Sequence, residues 1–335
     1  MELNDILKID TKKMFRAYDN WPKIARDSFE EDFKKIDVKD IDHIVFAGMG
    51  GSGSIGDTIQ AILSKKNIHV SLTKGYLLPK TVDSKTLVIA TSVSGNSAEI
   101  LEIIKSVKKT EAKAVGFSSG GRLESLCSEN NITYQKISMI HSPRASFTRF
   151  LFSVLNILEP IIPIKQNEIL DSISALELTK ENIFSGNLTE ENLSLDIAKF
   201  VTELVCIYYP AGLRAAAIRY KNSLQENSKM HAMTEDVIES CHNGIVAWEK
   251  ESNVKPILIQ GLDDNNKTIE RWNILKEFFE MKNVECKIIK SIEGNILSKI
   301  TNLIYTLDYS TLYTSVFRKV DPSPVNSIDF IKSKL

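Results

Sequence analysis

Short apolar runs alternate with longer amphipathic stretches along most of the chain. Residues 44–47 form a compact apolar run that ends in glycines, and residues 87–90 form another that ends in a serine-rich turn. A third, at 114–117, is followed by Ser118, Ser119, Gly120 and Gly121. A further strand is expected at 68–72. Between these runs, residues 55–63, 98–108 and 123–128 carry the spacing of helices. Runs that are apolar at every position predict strands covered on both faces. Strands that alternate with helices predict a parallel sheet with helices on either side.

The alternation then pauses. Residues 147–158 read as a buried helix, punctuated at its end by Pro160 and Pro163. A second cycle follows, with strands expected at 204–208, 257–260 and 286–289. Helices are expected at 213–223, 268–281 and 296–316. The pattern predicts an α/β protein of two halves of similar plan, residues 1–160 and 161–335. Each half is a parallel sheet flanked by helices, of flavodoxin-like or Rossmann-like type. The length of 335 residues fits two domains at roughly 150 residues each.

Composition narrows the function classes. The formal net charge is −1, so no basic field points to nucleic acid. The local basic run at Lys105, Lys108 and Lys109 reads as a solvated helix face. The first residues are mixed and polar, without the basic start and apolar core of a secretory leader. No apolar run approaches the roughly 20 residues that span a bilayer, so no membrane role is expected. Cys127, Cys206, Cys241 and Cys286 are scattered without a CxxC pair. That spacing argues against a disulfide framework and against a cysteine zinc site, and a reducing cytoplasm is expected.

The richest chemical signal is the stretch from Gly48 to Gly56, GMGGSGSIG, which follows an expected strand and opens an expected helix. Glycines let the backbone approach an anion, and a helix N-terminus presents free N–H groups. Gly48, Gly50 and Gly53 also fit the dinucleotide pattern GxGxxG. That pattern wants an acidic residue about 20 positions later, whereas the second strand ends in Thr73 and Lys74. A second turn, Thr91-Ser92-Val93-Ser94-Gly95-Asn96-Ser97, lies between the expected strand at 87–90 and the helix at 98–108. One hydroxyl suffices to cap a helix, and this turn carries four. Two such turns at the carboxyl ends of parallel strands suit a phosphate monoester.

GMGGSG followed by SxSGN[ST]xE resembles the sugar isomerase (SIS) domain, which binds phosphosugars. The resemblance implies that Gly50, Gly51, Ser52, Ser92, Ser94 and Ser97 hold the phosphate. Val93 stands where the family usually has tyrosine. Ser97 stands where threonine is usual, and keeps the hydroxyl.

The remaining candidates are dispersed. Pro143-Arg144-Ala145 follows the first half's strands and reads either as a surface arginine or as a cation beside a developing negative charge. Glu226 lies in Gln225-Glu226-Asn227-Ser228-Lys229, by itself the polar end of a helix. His242 lies in Cys241-His242-Asn243-Gly244, ahead of Trp248. Cys241 and His242 have no further cysteine or histidine at ligand spacing, so no metal is expected.

Together these segments resemble the bifunctional phosphoglucose/phosphomannose isomerases, which carry two SIS domains. The resemblance spans nearly the whole chain. It departs at Gln225 and at Gly244, and its C-terminal part places Lys332 at the family's catalytic lysine. It implies a metal-independent aldose–ketose isomerase without a cofactor, acting on glucose-6-phosphate and mannose-6-phosphate to give fructose-6-phosphate through a cis-enediol. Glu226 would be the proton shuttle, His242 with Lys332 the ring-opening groups, and Arg144 the stabiliser of the enediolate. It further implies a homodimer in which His242 crosses to the neighbouring subunit's site. The local sequence allows this, since Trp248 beyond the histidine loop suits a packed interface core; the alternative is a self-contained monomer with Trp248 in its own core. Ser323 is the nearest counterpart of a family threonine linked to mannose specificity. Two rivals remain: a regulatory sugar-phosphate-binding protein of the same fold, and an SIS isomerase for another sugar phosphate.

Overall fold

The structure, a computed structural model, describes residues 1–334 of the 335-residue chain. The chain forms two compact units. One holds Met1–Asp19 with Leu170–Asp329, and the other holds Asn20–Ile169 with residues 330–334.

In the Asn20–Ile169 unit, β1 (His43–Gly48), β2 (His69–Thr73), β3 (Thr86–Thr91), β4 (Lys113–Ser118) and β5 (Thr133–Lys136) make one sheet. Its order is β2-β1-β3-β4-β5, and every pairing is parallel. All residues of β1 and β3 are buried, as their unbroken apolar character predicts. Val45, Ala47, Val88 and Ala90 on one face pack with Ile100, Ile103, Ile104 and Leu123. On the other face the Gly50–Leu63 helix lies so close that a Cβ on Gly56 would come within 2.5 Å of the Phe46 ring. Gly48 pairs with Thr91 in register, so the turns after β1 and β3 emerge side by side.

The Leu170–Asp329 unit repeats the plan. β6 (Val205–Tyr209), β7 (Ala232–Asp236), β8 (Lys255–Gln260) and β9 (Lys287–Lys290) form a parallel sheet in the order β7-β6-β8-β9. Its longest helix, Ile296–Phe317, is buried over nearly its whole length and packs on the Leu193–Phe200 and Arg214–Asn227 helices. The first residues belong to this unit. Tyr305 donates to the Tyr18 carbonyl at 2.9 Å, and Tyr309 donates to Asp19 at 2.6 Å. Among the described residues, no helix is long and apolar enough to cross a membrane.

β5 and β7 are strands that hydrophobic runs do not reveal. The β5 sequence is TYQK and β7 reads AMTED, because each lies at a sheet edge where burial is partial. The helix expected at 213–223 runs on to Asn227, which puts Glu226 in its last turn.

His43 opens β1 directly opposite His69 of β2, with ring centroids 4.8 Å apart. Its Nδ1 lies 3.3 Å from the Thr86 hydroxyl, and its Nε2 meets Ser71. Burial and then the neighbouring His69 push its pKa below the ordinary 6.5, against the opposing pull of the Thr81 backbone, Asp83 and Asp42. Below about pH 6.5 the unfolded chain therefore binds a proton that the folded chain resists. This contribution to stability is fully present above 6.5 and is lost as pH falls through the lowered value. Urea midpoints should accordingly fall on acidification below 6.5, and His43→Gln should flatten that part of the profile. An identical slope in the variant would remove His43 as its source.

Candidate active site

The turn after β1 is held in shape by close backbone approaches. A Cβ on Gly48 would come within 2.9 Å of the Ser52 carbonyl group, and one on Gly53 within 2.9 Å of the Gly48 carbonyl oxygen. Gly50 takes φ +52° and is exposed. Gly51 faces the Pro143–Arg144 backbone, where a Cβ would meet the Pro143 oxygen at 3.1 Å and the Arg144 Cα at 3.3 Å. The glycine turn and the Pro143-Arg144 segment are thus in contact. Arg144 is only 4% exposed, which decides against a surface arginine.

The serine turn converges on the same place. Val93 N–H donates to Ser52 Oγ at 3.2 Å, joining the two turns. The Ser92 and Ser97 hydroxyls lie 2.9 Å apart. Ser97 occupies the N-cap of the Ala98–Val107 helix, yet its hydroxyl makes no capping bond and faces Ser92 instead. Ser94 Oγ accepts from the Asn96 N–H at 3.3 Å. Val93 is buried, and its carbonyl accepts from both the N–H and the hydroxyl of Ser119, at 3.0 and 2.7 Å.

The turn after β4 braces it, a role that its sequence, SSGGR, did not advertise. Asn96 donates to the Ser94 carbonyl at 3.1 Å and accepts from the Arg122 N–H at 3.1 Å. Gly95, at φ +71°, leaves so little room that a Cβ would lie 1.7 Å from the Gly120 oxygen. Lys74, which follows β2, reaches Asp57 at 2.5 Å, and its stem passes 3.4 Å from where a Cβ of Gly53 would stand. A cation at this point is the reverse of the acid that a dinucleotide ribose requires.

Glu226, His242 and Lys332 have different settings. Glu226 is half-buried in the last turn of the Arg214–Asn227 helix. His242 is exposed, in the link between the short helix Val237–Ser240 and Gly244. That link is held locally. Asp236 accepts from the N–H groups of Ile238 and Glu239 at 2.8 and 3.3 Å, and Asn243 donates to Glu239 at 2.8 Å. Trp248 is not exposed for an interface. It is buried, donates to the Tyr208 hydroxyl at 2.8 Å and packs edge-on against Phe279, so it moors the histidine segment in its own unit's core.

Gly244, one of the departures from the family pattern, sits over Glu235. A Cβ there would be 2.1 Å from that carboxylate, whose pKa burial raises. Lys332 lies in the Asn326–Lys332 helix, which has no buried residue. Among the described residues, no three His, Cys, Asp or Glu side chains form a group that could hold a metal ion.

A family model described as the SIS domain matches residues 38–157, and one described as the bacterial phospho-glucose isomerase C-terminal SIS domain matches residues 190–335. A bifunctional phosphoglucose/phosphomannose isomerase from Caldicellulosiruptor bescii is 30% identical over 96% of this chain and 98% of its own length. The chain belongs to that family. A member from Aquifex aeolicus is 28% identical over 91% of this chain and 93% of its own. A D-glucosamine-6-phosphate 4-epimerase from Sulfolobus acidocaldarius is 29% identical over 73% of this chain and 77% of its own. Among solved structures, the C-terminal domain of glucosamine-fructose-6-phosphate aminotransferase from Francisella tularensis shares the fold. The TM-score is 0.69 at 16% identity, over 91% of this chain and 96% of the other.

The two glycines that bend the cradle backbone differ in a testable way. Gly95→Ala adds a clash with the Gly120 carbonyl to a left-handed backbone, and should cost more than about 4 kcal/mol. Gly50→Ala meets nothing within 4 Å and should cost only the left-handed strain, roughly 1–2 kcal/mol. Urea denaturation of both variants measures the difference, and equal losses would contradict the close approach at Gly95.

Proposed function

We propose that the protein is a metal-independent aldose–ketose isomerase that interconverts glucose-6-phosphate, and mannose-6-phosphate, with fructose-6-phosphate. The family relationship over nearly the full chain carries this reading. The joined glycine and serine turns support a phosphate monoester as the substrate's handle. Gly50, Gly51, Ser52, Ser92, Ser94 and Ser97 bind the phosphate, far from the reacting carbons, and so orient the opened sugar.

Glu226 takes the proton from C2 of the open aldose as the C1 carbonyl becomes a hydroxyl, giving a cis-enediol. It then returns the proton to C1 while C2–O becomes the ketone. Net, one proton moves from C2 to C1 and another from the C2 oxygen to the C1 oxygen; C1 is reduced as C2 is oxidised, so no external oxidant or reductant is needed. Arg144, whose backbone abuts Gly51, supplies fixed positive charge for the enediolate. His242, with Lys332, moves the proton between the anomeric hydroxyl and the ring oxygen as the ring opens. No nicotinamide, flavin or metal enters these steps. A cytoplasmic role in hexose-phosphate metabolism follows from the substrates.

A homodimer in which His242 serves the neighbouring subunit fits the exposure of that loop. His242 is exposed, and Val246 beside it is 58% exposed. The terminal helix also leaves Phe330 and Ile331 exposed.

A coupled assay of chelator-treated protein with glucose-, mannose- and fructose-6-phosphate tests the reaction. Activity on the first two is expected. Activity lost to chelation and restored by zinc would overturn the mechanism. Glucosamine-6-phosphate belongs in the same assay, because one relative is a 4-epimerase of that sugar. Its sole turnover would favour that chemistry. Glu226→Gln should abolish exchange of the C2 proton with deuterated water while substrate still binds. Exchange at the wild-type rate would dismiss Glu226 as the shuttle.

Dimer complementation tests the shared site. Glu226→Gln and His242→Ala are each expected to be nearly inactive alone. Refolded together, they should recover about a quarter of wild-type activity, since half the dimers are mixed and each has one of two sites intact. Verified heterodimers that stay inactive would return His242 to its own chain or remove it from catalysis.

A further inference from the structure

The Arg214–Asn227 helix meets the long Ile296–Phe317 helix through a line of polar side chains where apolar ones would pack more cheaply. Arg219, Ser223 and Asn227 recur every fourth residue and are all buried, Asn227 completely. Arg219 donates through Nε and Nη2 to Asp308 Oδ2 at 2.9 and 2.7 Å, and Ser223 donates to Asp308 Oδ1 at 2.6 Å. One turn further, Asn227 donates to Thr311 Oγ1 at 2.8 Å, and that hydroxyl donates to the Asp308 carbonyl at 2.6 Å. Ser228 donates to the Thr311 carbonyl at 2.8 Å.

Beyond the helix, Lys229 turns through φ +53° and donates to the carbonyls of Glu226 and Pro322, at 2.6 and 3.1 Å. Arg318 donates to the Ser228 carbonyl at 3.1 Å. Glu226 therefore lies in a backbone segment fastened on both sides.

We propose that Asp308 and Thr311 are positioning residues that fix the axial and rotational register of the Glu226 helix. The proposal rests on the reading of Glu226 as the proton shuttle. A buried ion pair contributes little net stability compared with well-packed apolar residues, because desolvation offsets the attraction. What it supplies is a single register. A slip of one residue moves a helix about 1.5 Å and turns it about 100°, which would strand the Arg219 charge in the interior. Proton abstraction from carbon tolerates no such displacement, since a misplacement of about 1 Å can cost on the order of a hundredfold in rate. Neither Asp308 nor Thr311 is assigned contact with the sugar, so their effect runs through Glu226.

Thr311→Val keeps the volume and removes the acceptor for Asn227, whereas Thr311→Ser keeps the hydroxyl. Thr311→Val should lower kcat about tenfold or more, with the KM for fructose-6-phosphate within about twofold. Thr311→Ser should restore kcat. Amide hydrogen exchange at Glu226, Asn227 and Ser228 should accelerate in the valine variant alone. Asp308→Asn should lower kcat further, and because it removes the carboxylate to which Arg219 donates through two nitrogens, the decision rests on the Thr311 pair. Wild-type kcat in Thr311→Val, or equal losses in the valine and serine variants, would overturn the proposal. Unchanged amide exchange in the valine variant would do the same. A wild type that binds phosphosugar but isomerises none would instead overturn the isomerase reading, while the exchange measurement still decides whether the polar line holds the helix end.

Discussion

The hydrogen bond from the Val93 N–H to Ser52 Oγ joins two helix N-termini that the sheet only brings near each other. The register of β1 with β3 sets Gly48 beside Thr91, but parallel pairing ends there, and this bond joins the two turns beyond it. A neutral hydrogen bond of this kind contributes roughly 1 kcal/mol net, which is small for stability and sufficient to bias two short loops. Its direction matters more. Ser52 accepts from a backbone N–H, so its own proton is left to donate. Ser94 likewise accepts from the Asn96 N–H. Hydroxyls that satisfy the protein as acceptors remain available to an anion as donors, and a phosphate is acceptor-rich. The glycines allow the backbone N–H groups to join them.

The same strand order appears in the other unit without the same chemistry. There β8 ends in Gln260, and the turn that follows reads Gly261-Leu262-Asp263-Asp264-Asn265. Asp264 accepts from the Gly261 N–H at 3.0 Å and from Trp272 Nε1 at 2.9 Å. The chain's own carboxylate takes N–H donors of the kind that a bound anion would use, and Lys299 pairs with Asp263 beside it. One plan thus carries a turn of Ser and Gly in one unit, where an anion cradle is proposed, and a self-satisfied turn of Asp in the other. The second unit keeps its helices for side chains of other kinds, Glu226 among them.

Legibility followed local apolar content more than burial: the edge strands β2 and β9 were expected at 68–72 and 286–289, although only one residue of β9 is buried. β1, β3 and β8 are covered on both faces and appear as unbroken apolar runs, so the parallel α/β class could be read directly. β5 and β7 are edge strands whose polar residues give no run to read. The packing of the first nineteen residues with residues 170–329 depends on long-range bonds such as Tyr309 to Asp19, for which local pattern carries no signal. The glycine and serine turns were legible as strand-to-helix turns because several glycines and hydroxyls cluster within a few positions. The brace from Asn96 to the SSGGR turn was not, since it joins segments 26 residues apart. Trp248 misled for a related reason. A large aromatic beside a polar loop suits an interface or a core equally, and only the Tyr208 hydroxyl and the Phe279 ring decide for the core.

The proposed acid–base groups are mounted with different stiffness, and the chemistry assigned to each accounts for the difference. Glu226 is tied through buried side-chain bonds on adjacent turns and through its own carbonyl. His242 stands exposed on a link held by local bonds from Asp236 and Asn243, with its mooring several residues away at Trp248. In the proposed reaction, Glu226 moves a proton to and from carbon, a transfer that is slow unless donor and acceptor are closely aligned. His242 moves a proton between oxygens during ring opening. Such transfers are fast and tolerate wider geometry, including an intervening water. A stiff mount for the carboxylate and a looser one for the imidazole is the arrangement that this division of labour requires.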